Sequence, residues 1–133
     1  MFEISEFETI DVADMPVKNP KNGKPVMDGK LAVVIKLAGR DSELYRKISR
    51  ELASKRAEAI RAAGVDAQPT DDDLENEALD LLSALTLGWV GIAANGEPYP
   101  FSQENARKLY ERLPWLREEV DRFVGNRANF MKA

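Results

Sequence analysis

Neither cysteine nor histidine occurs in the 133 residues of this chain. The first absence rules out a disulfide framework and any thiolate metal site. The second removes the commonest general base and the commonest metal ligand. Catalysis would have to rest on carboxylates, lysines or hydroxyls alone, and a serine–histidine pair cannot be assembled. Long apolar runs are also lacking. The longest falls far short of the roughly 18 residues that span a bilayer, and the first residues, with Glu3, Glu6 and Glu8, carry no apolar signal segment. A soluble cytoplasmic protein with no membrane partner is expected. Glycines 88, 91 and 96 match neither a phosphate loop nor a dinucleotide fingerprint and are read as loop or helix-end glycines.

What is present suits a single domain over 1–133, long enough for one modest core. Net charge is −4, which does not favour non-specific nucleic-acid binding. Its distribution is uneven. Glu43 to Arg61 holds six basic and three acidic residues, whereas Asp66 to Asp80 holds seven acidic residues and no basic one. Neighbouring segments of opposite sign can pair in the fold, or stand as solvated faces.

Residues 1–40 read as β. Leu31, Val33, Ile35 and Leu37 alternate with Ala32, Val34, Lys36 and Ala38, a period of two rich in branched side chains. An earlier strand is expected within Phe7–Val12. Between them lie Asn19-Pro20, Asn22-Gly23, Pro25 and Asp28-Gly29, all turn formers. Two antiparallel strands joined by a long loop follow, and such a pair must pack on a helix or on another subunit.

Residues 41–133 read as helical. Asp41-Ser42 offer an N-cap, and Leu44, Ile48, Leu52, Ala59, Ile60 and Ala63 recur at three- and four-residue steps over about six turns. Gly64 ends that helix. Thr70 with Asp73 resembles a capping box, and Leu74, Ala78, Leu81, Leu82, Leu85 and Trp89 form the stripe of a second helix. Ser102 caps a third, carrying Ala106, Leu109, Tyr110 and Leu113. Pro114 suits the first turn of a fourth, where its missing N–H costs nothing; Trp115, Leu116, Val120, Phe123 and Val124 give its apolar face. The expected fold is α+β: a small N-terminal antiparallel β-hairpin followed by about four helices, mainly α.

No group in this pattern points to chemistry. Asp71, Asp72 and Asp73 form the densest carboxylate cluster and offer three oxygens to a metal, but directly after Thr70 they favour the positive end of a helix dipole. Arg46, Lys47, Arg50, Lys55, Arg56 and Arg61 interleave with Glu43, Glu51 and Glu58 at ion-pair spacing, which reads as a solvated face before a phosphate-binding one. Neither an enzymatic activity nor a cofactor is expected. Trp89, Trp115, Phe123 and Phe130 are core candidates by default. Phe130 and Met131, beyond Gly125, lie outside the reach of a compact helix pair and are candidate anchors for a partner.

From Asn95 to Phe130 several uncommon residues fall in order: Asn95-Gly96-Glu97-Pro98-Tyr99-Pro100-Phe101-Ser102-Gln103-Glu104-Asn105-Ala106, then Leu109-Tyr110, Pro114-Trp115-Leu116-Arg117 and Asn126-Arg127-Ala128-Asn129-Phe130. Upstream, the Asn19–Gly23 turns, Gly39-Arg40-Asp41-Ser42 and Thr86-Leu87-Gly88-Trp89 follow the same order. This pattern resembles the tail assembly chaperones of lambda-like long-tailed bacteriophages and prophages, and the resemblance covers most of the chain.

The resemblance implies a non-enzymatic role: binding the long helical tape measure protein and keeping it soluble while tail tube protein polymerises around it. It implies a late protein of the host cytoplasm, absent from the mature virion, corresponding to the short product of a frameshifted gene. The longer product would recruit tail tube protein. It also implies self-association into homo-oligomers. Partner contacts are expected at Trp115, Arg127, Phe130 and Met131. Two other roles stay open: a structural virion component, such as a head–tail connector or tail terminator, and a small nucleic-acid-binding or regulatory protein.

Overall fold

The computed structural model describes residues 1–64 and 68–132; Asp66, included in the charge count above, lies outside them. Its centre is a three-stranded antiparallel sheet in the order β1 (Val12–Pro16), β4 (Val34–Ala38), β5 (Thr86–Val90). The register pairs Val12 with Ala38 and Pro16 with Val34, then Val34 with Val90 and Ile35 with Trp89. A two-residue ladder, β2 (Met27–Asp28) with β3 (Leu31–Ala32), tops the long β1–β4 connection. The alternation expected over 31–38 holds from Val33 to Leu37: Val33, Ile35 and Leu37 are buried while Lys36 faces water, and Ala38 breaks it by being buried as well. Leu31 departs from it and is exposed, because it belongs to the β2–β3 ladder outside the core.

The first strand lies later than the sequence suggests. Phe7 ends a short 3₁₀ turn over Ile4–Phe7, and pairing begins at Val12, where Val12–Pro16 can match the core-facing period of β4. Pro16 stands on an edge strand, where its missing donor removes no ladder bond.

Four helices follow among the described residues: α1 (Glu43–Ala63), α2 (Asp71–Leu85), α3 (Gln103–Arg112) and α4 (Pro114–Gly125). Each start has a local cause. The Ser42 hydroxyl accepts from Tyr45 N–H and the Ser102 hydroxyl from Asn105 N–H. Thr70 and Asp73 form a reciprocal capping box; Pro114 opens α4. The Asp71–Asp73 cluster is thus the first turn of α2, and hydrogen bonding by Thr70 holds the Asp73 carboxyl below its usual range.

The second helix is shorter than its apolar stripe. That stripe runs on to Trp89, but α2 ends at Leu85 and the chain passes directly into β5 at Thr86. Leu85 and Trp89 are four residues apart and imitate a helical step, while the pairing that makes a strand of 86–90 comes from the distant β4. Trp89 leaves the helix face altogether. Its ring stacks on Tyr99 at 5.9 Å and meets Phe101 edge-on at 5.1 Å, and its indole N–H donates to the Tyr99 carbonyl at 2.8 Å. Between these aromatics runs a small hairpin, β6 (Ala93–Ala94) and β7 (Glu97–Pro98). Its turn, Asn95-Gly96, has both φ angles positive, 52° and 80°, which asparagine and glycine tolerate best.

One face of the sheet meets α2, α3 and α4. Ile35, Leu37, Leu85, Tyr110 and Val120 are the largest fully buried apolar residues, joined by Leu79, Leu82, Leu116 and Val124. Burying a side chain of this size stabilises by about 1.5–3 kcal/mol. α1 is different: over 21 residues it buries none. It touches the core through Leu44 and Tyr45 in its first turn, and farther along pairs Arg56 with Glu77 of α2.

Candidate partner-binding surface

The C-terminal residues do not project. After α4 a 3₁₀ turn over Arg127–Phe130 folds back on the sheet, so Phe130 lies within the compact unit and not beyond it. Its ring is 2 % exposed, edge-on to Phe123 at 5.5 Å and directly over Gly39. The backbone continues as an extra rung: Ile10 N–H donates to the Phe130 carbonyl at 2.6 Å, Lys132 N–H to the Glu8 carbonyl at 3.3 Å, and Met131 is bridged to Thr9. Phe130 therefore offers a partner no open ring surface, and Met131 is partly covered.

Arg127 is exposed but engaged. Its guanidinium grips Asp41 through Nε at 2.6 Å and a second nitrogen at 3.1 Å, tying the last turn to the start of α1. That hydrogen bond is the largest cause of the lowered Asp41 pKa. Trp115 is half-buried and packs at the core margin. With Phe123, Met15, Pro16 and Arg122 it lines a cleft of ≈ 330 Å³ between α4 and β1. Of the four residues singled out from the sequence, Trp115 lines this cleft, whereas Arg127, Phe130 and Met131 lie in the returning tail against Asp41, Gly39 and Thr9.

A second surface is larger in apolar content. α1 and α2 run antiparallel, as the Arg56–Glu77 pair and the shared Leu52–Leu81 cleft show. On α2, Leu74, Ala78 and Leu81 recur at i, i+4 and i+7 and share a face. Leu74 and Ala78 are exposed and Leu81 half-buried. Two clefts run along this stripe and share Ala78 and Leu81: one of ≈ 250 Å³ against Ser49, Leu52 and Arg56 of α1, the other of ≈ 400 Å³ against Arg117, Glu118 and Asp121 of α4. Because they share Ala78 and Leu81, the two clefts make one shallow apolar trough along α2, bordered by α1 on one side and α4 on the other. The sequence marked Leu74, Ala78 and Leu81 as apolar, but gave no means of telling which half of that wide stripe meets the core. Leu82 and Leu85 do, together with Leu79, which the stripe did not include.

A third apolar cluster sits at the N-terminal segment, where Phe2 stacks on Phe7 at 4.6 Å and Ile4 is exposed beside them. Among the described residues no group of three or more carboxylates is placed to hold a metal ion, and no buried side-chain polar atom lacks a hydrogen-bond partner.

The family model described as YdaY prophage protein matches residues 40–133. The chain belongs to the YdaY prophage protein family. The matched segment begins just before α1 and takes in all four helices, β5, the Asn95-Gly96 hairpin and the returning tail; the β1–β4 strands precede it. No curated protein and no solved structure matches. Membership establishes a phage or prophage protein, in keeping with the phage resemblance carried by the Asn95–Phe130 residues.

Proposed function

We propose that this YdaY-family protein is a tail assembly chaperone, which binds the tape measure protein of a long-tailed phage or prophage and keeps it soluble in the host cytoplasm until the tail tube forms. The observation carrying this reading is the trough over α2: Leu74, Ala78 and Leu81 lie open between two helical walls. A long helical client exposes apolar faces that must be withdrawn from water, and an amphipathic helix laid in an apolar groove is an established way to do so. Prophage family membership and the Asn95–Phe130 motif support the same role. It requires no catalytic group and no cofactor. A longer product of the same gene would bring in tail tube protein.

Co-expression with the tape measure protein of the same prophage tests it. The expected result is soluble tape measure protein that copurifies with this chain, and purified virions that lack the chain. Equal insolubility with and without the chain overturns the reading. Recovery of the chain in stoichiometric amount from virions assigns it to the head–tail connector or terminator class instead.

A further inference from the structure

The walls of the α2 trough differ in charge, and the difference specifies what fits between them. On the α1 side the lining is Ser49, Leu52 and Arg56, and the Arg56 guanidinium is engaged by Glu77. On the α4 side Arg117 is engaged by Glu75 at 3.0 Å, which leaves Glu118 and Asp121. Both are exposed, and among the described residues neither lies within ion-pair distance of a basic group. One wall is therefore close to neutral and the other carries two uncompensated carboxylates beside an apolar floor.

We infer that the trough receives a single amphipathic helix of a partner protein, with its apolar stripe on Leu74, Ala78 and Leu81 and a lysine- or arginine-bearing flank turned toward Glu118 and Asp121 of α4. Three features carry this. The floor has helical spacing and includes a small residue, Ala78, at its centre, which lets another helix approach closely. The borders are themselves helices, and the lining runs from Leu74 to Leu82 along α2, so a helical segment has a length of surface to lie on. The charge asymmetry fixes which flank of the incoming helix faces which wall, since like charges brought together at such a rim are disfavoured and opposite charges set register. The inference rests on the chaperone reading only for the identity of the client; the groove's selectivity is a property of this chain alone.

The test uses two labelled synthetic helical peptides of about 15 residues, matching the length of α2 at about 1.5 Å per residue. They share one leucine stripe and differ in carrying lysines or glutamates along one flank. Fluorescence anisotropy at low salt should show the lysine peptide binding at least tenfold more tightly, with the preference shrinking as salt rises. Glu118→Lys with Asp121→Lys should invert the preference. Leu74→Glu and, separately, Ala78→Arg should weaken both peptides; both positions are exposed, and far-UV circular dichroism checks that each variant remains folded. Equal affinity for the two peptides, or binding unchanged in both floor variants, overturns the inference. Concentration-dependent sedimentation of the wild type that Leu74→Glu abolishes assigns the trough to a second copy of this chain and also overturns it. The two readings separate on co-expression. If Leu74→Glu and Ala78→Arg solubilise the tape measure protein as well as the wild type does, the groove inference falls and the chaperone reading stands. If the wild type solubilises nothing yet discriminates the peptides, the reverse holds.

Discussion

The hydroxyl oxygens of Thr86 and Tyr110 lie 2.6 Å apart, both buried, at the point where α2 turns into β5. The Thr86 hydroxyl also donates to the Leu82 carbonyl at 2.8 Å, so Tyr110 donates to Thr86 and the pair closes the joint. The Thr86 carbonyl accepts in turn from the Gln103 side chain at 3.2 Å, which ties the joint to the start of α3.

Tyr110→Phe should cost about 1 kcal/mol, the net worth of one such hydrogen bond, because Thr86 keeps its bond to Leu82. The pH response is more specific. Burial pushes the Tyr110 pKa up to about 12, against the opposing pull of the Thr86 hydrogen bond. With the folded pKa above the unfolded value near 10, this contribution is fully present below pH 10 and is lost as pH rises from 10 toward 12. Urea melts of wild type and Tyr110→Phe at pH 8, 10 and 11 should converge as the pH rises. A difference independent of pH would show that Tyr110 ionises in the folded state as freely as in the unfolded one.

Gly39→Ala should destabilise by about 1–3 kcal/mol, the usual range for overpacking a filled site. A Cβ there would stand 2.8 Å from the nearest carbon of the Phe130 ring. If the cause is that contact, Phe130→Leu in the Gly39→Ala background should cost less than Phe130→Leu alone, since neighbouring substitutions do not add. Denaturation curves for the four proteins decide it; strict additivity would place the cause elsewhere.

The Asp41–Arg127 fork should appear in the acid limb of stability. Its hydrogen bond holds the Asp41 carboxyl below the ordinary value of 3.8, so its contribution is present above that value and is lost as pH falls through the lowered one. Both side chains are partly solvated, which keeps the effect small and salt-sensitive. Arg127→Gln should lower the melting temperature slightly near pH 7, and the gap to wild type should close as pH falls through the lowered Asp41 value. A gap that persists unchanged at low pH would count against the pair.

The parts of the fold that sequence discloses are those with a local cause. Ser42, Thr70, Ser102 and Pro114 mark four helix starts because a cap or an N-terminal proline acts within one turn, and the 33–37 alternation marks β4 because its faces meet different solvents. What escaped depends on distant partners. β5 exists because β4 offers it an edge, and nothing between Thr86 and Val90 announces that. Phe130 looks free at the end of the chain, yet Gly39 provides the vacancy its ring fills. Of the candidate surface, the residues Leu74, Ala78 and Leu81 are visible in the helical period, but their openness is decided by where α1 and α4 lie. The carboxylates of Glu118 and Asp121 stand out only once Arg117 is seen to turn toward Glu75.

The backbone rung joining Thr9 and Ile10 to Phe130 and Met131 bears on the order in which the molecule can be completed as it is made. β1 and β4 leave the ribosome well before β5, and the segment preceding β1 waits longer still, until Phe130 and Lys132 arrive to cover it. The sheet therefore cannot close during synthesis of its own first strands. Its last pairing spans nearly the whole chain, the kind of long-range contact that slows folding, and a nascent chain arrested anywhere short of Phe130 would hold its opening strands with Gly39 bare.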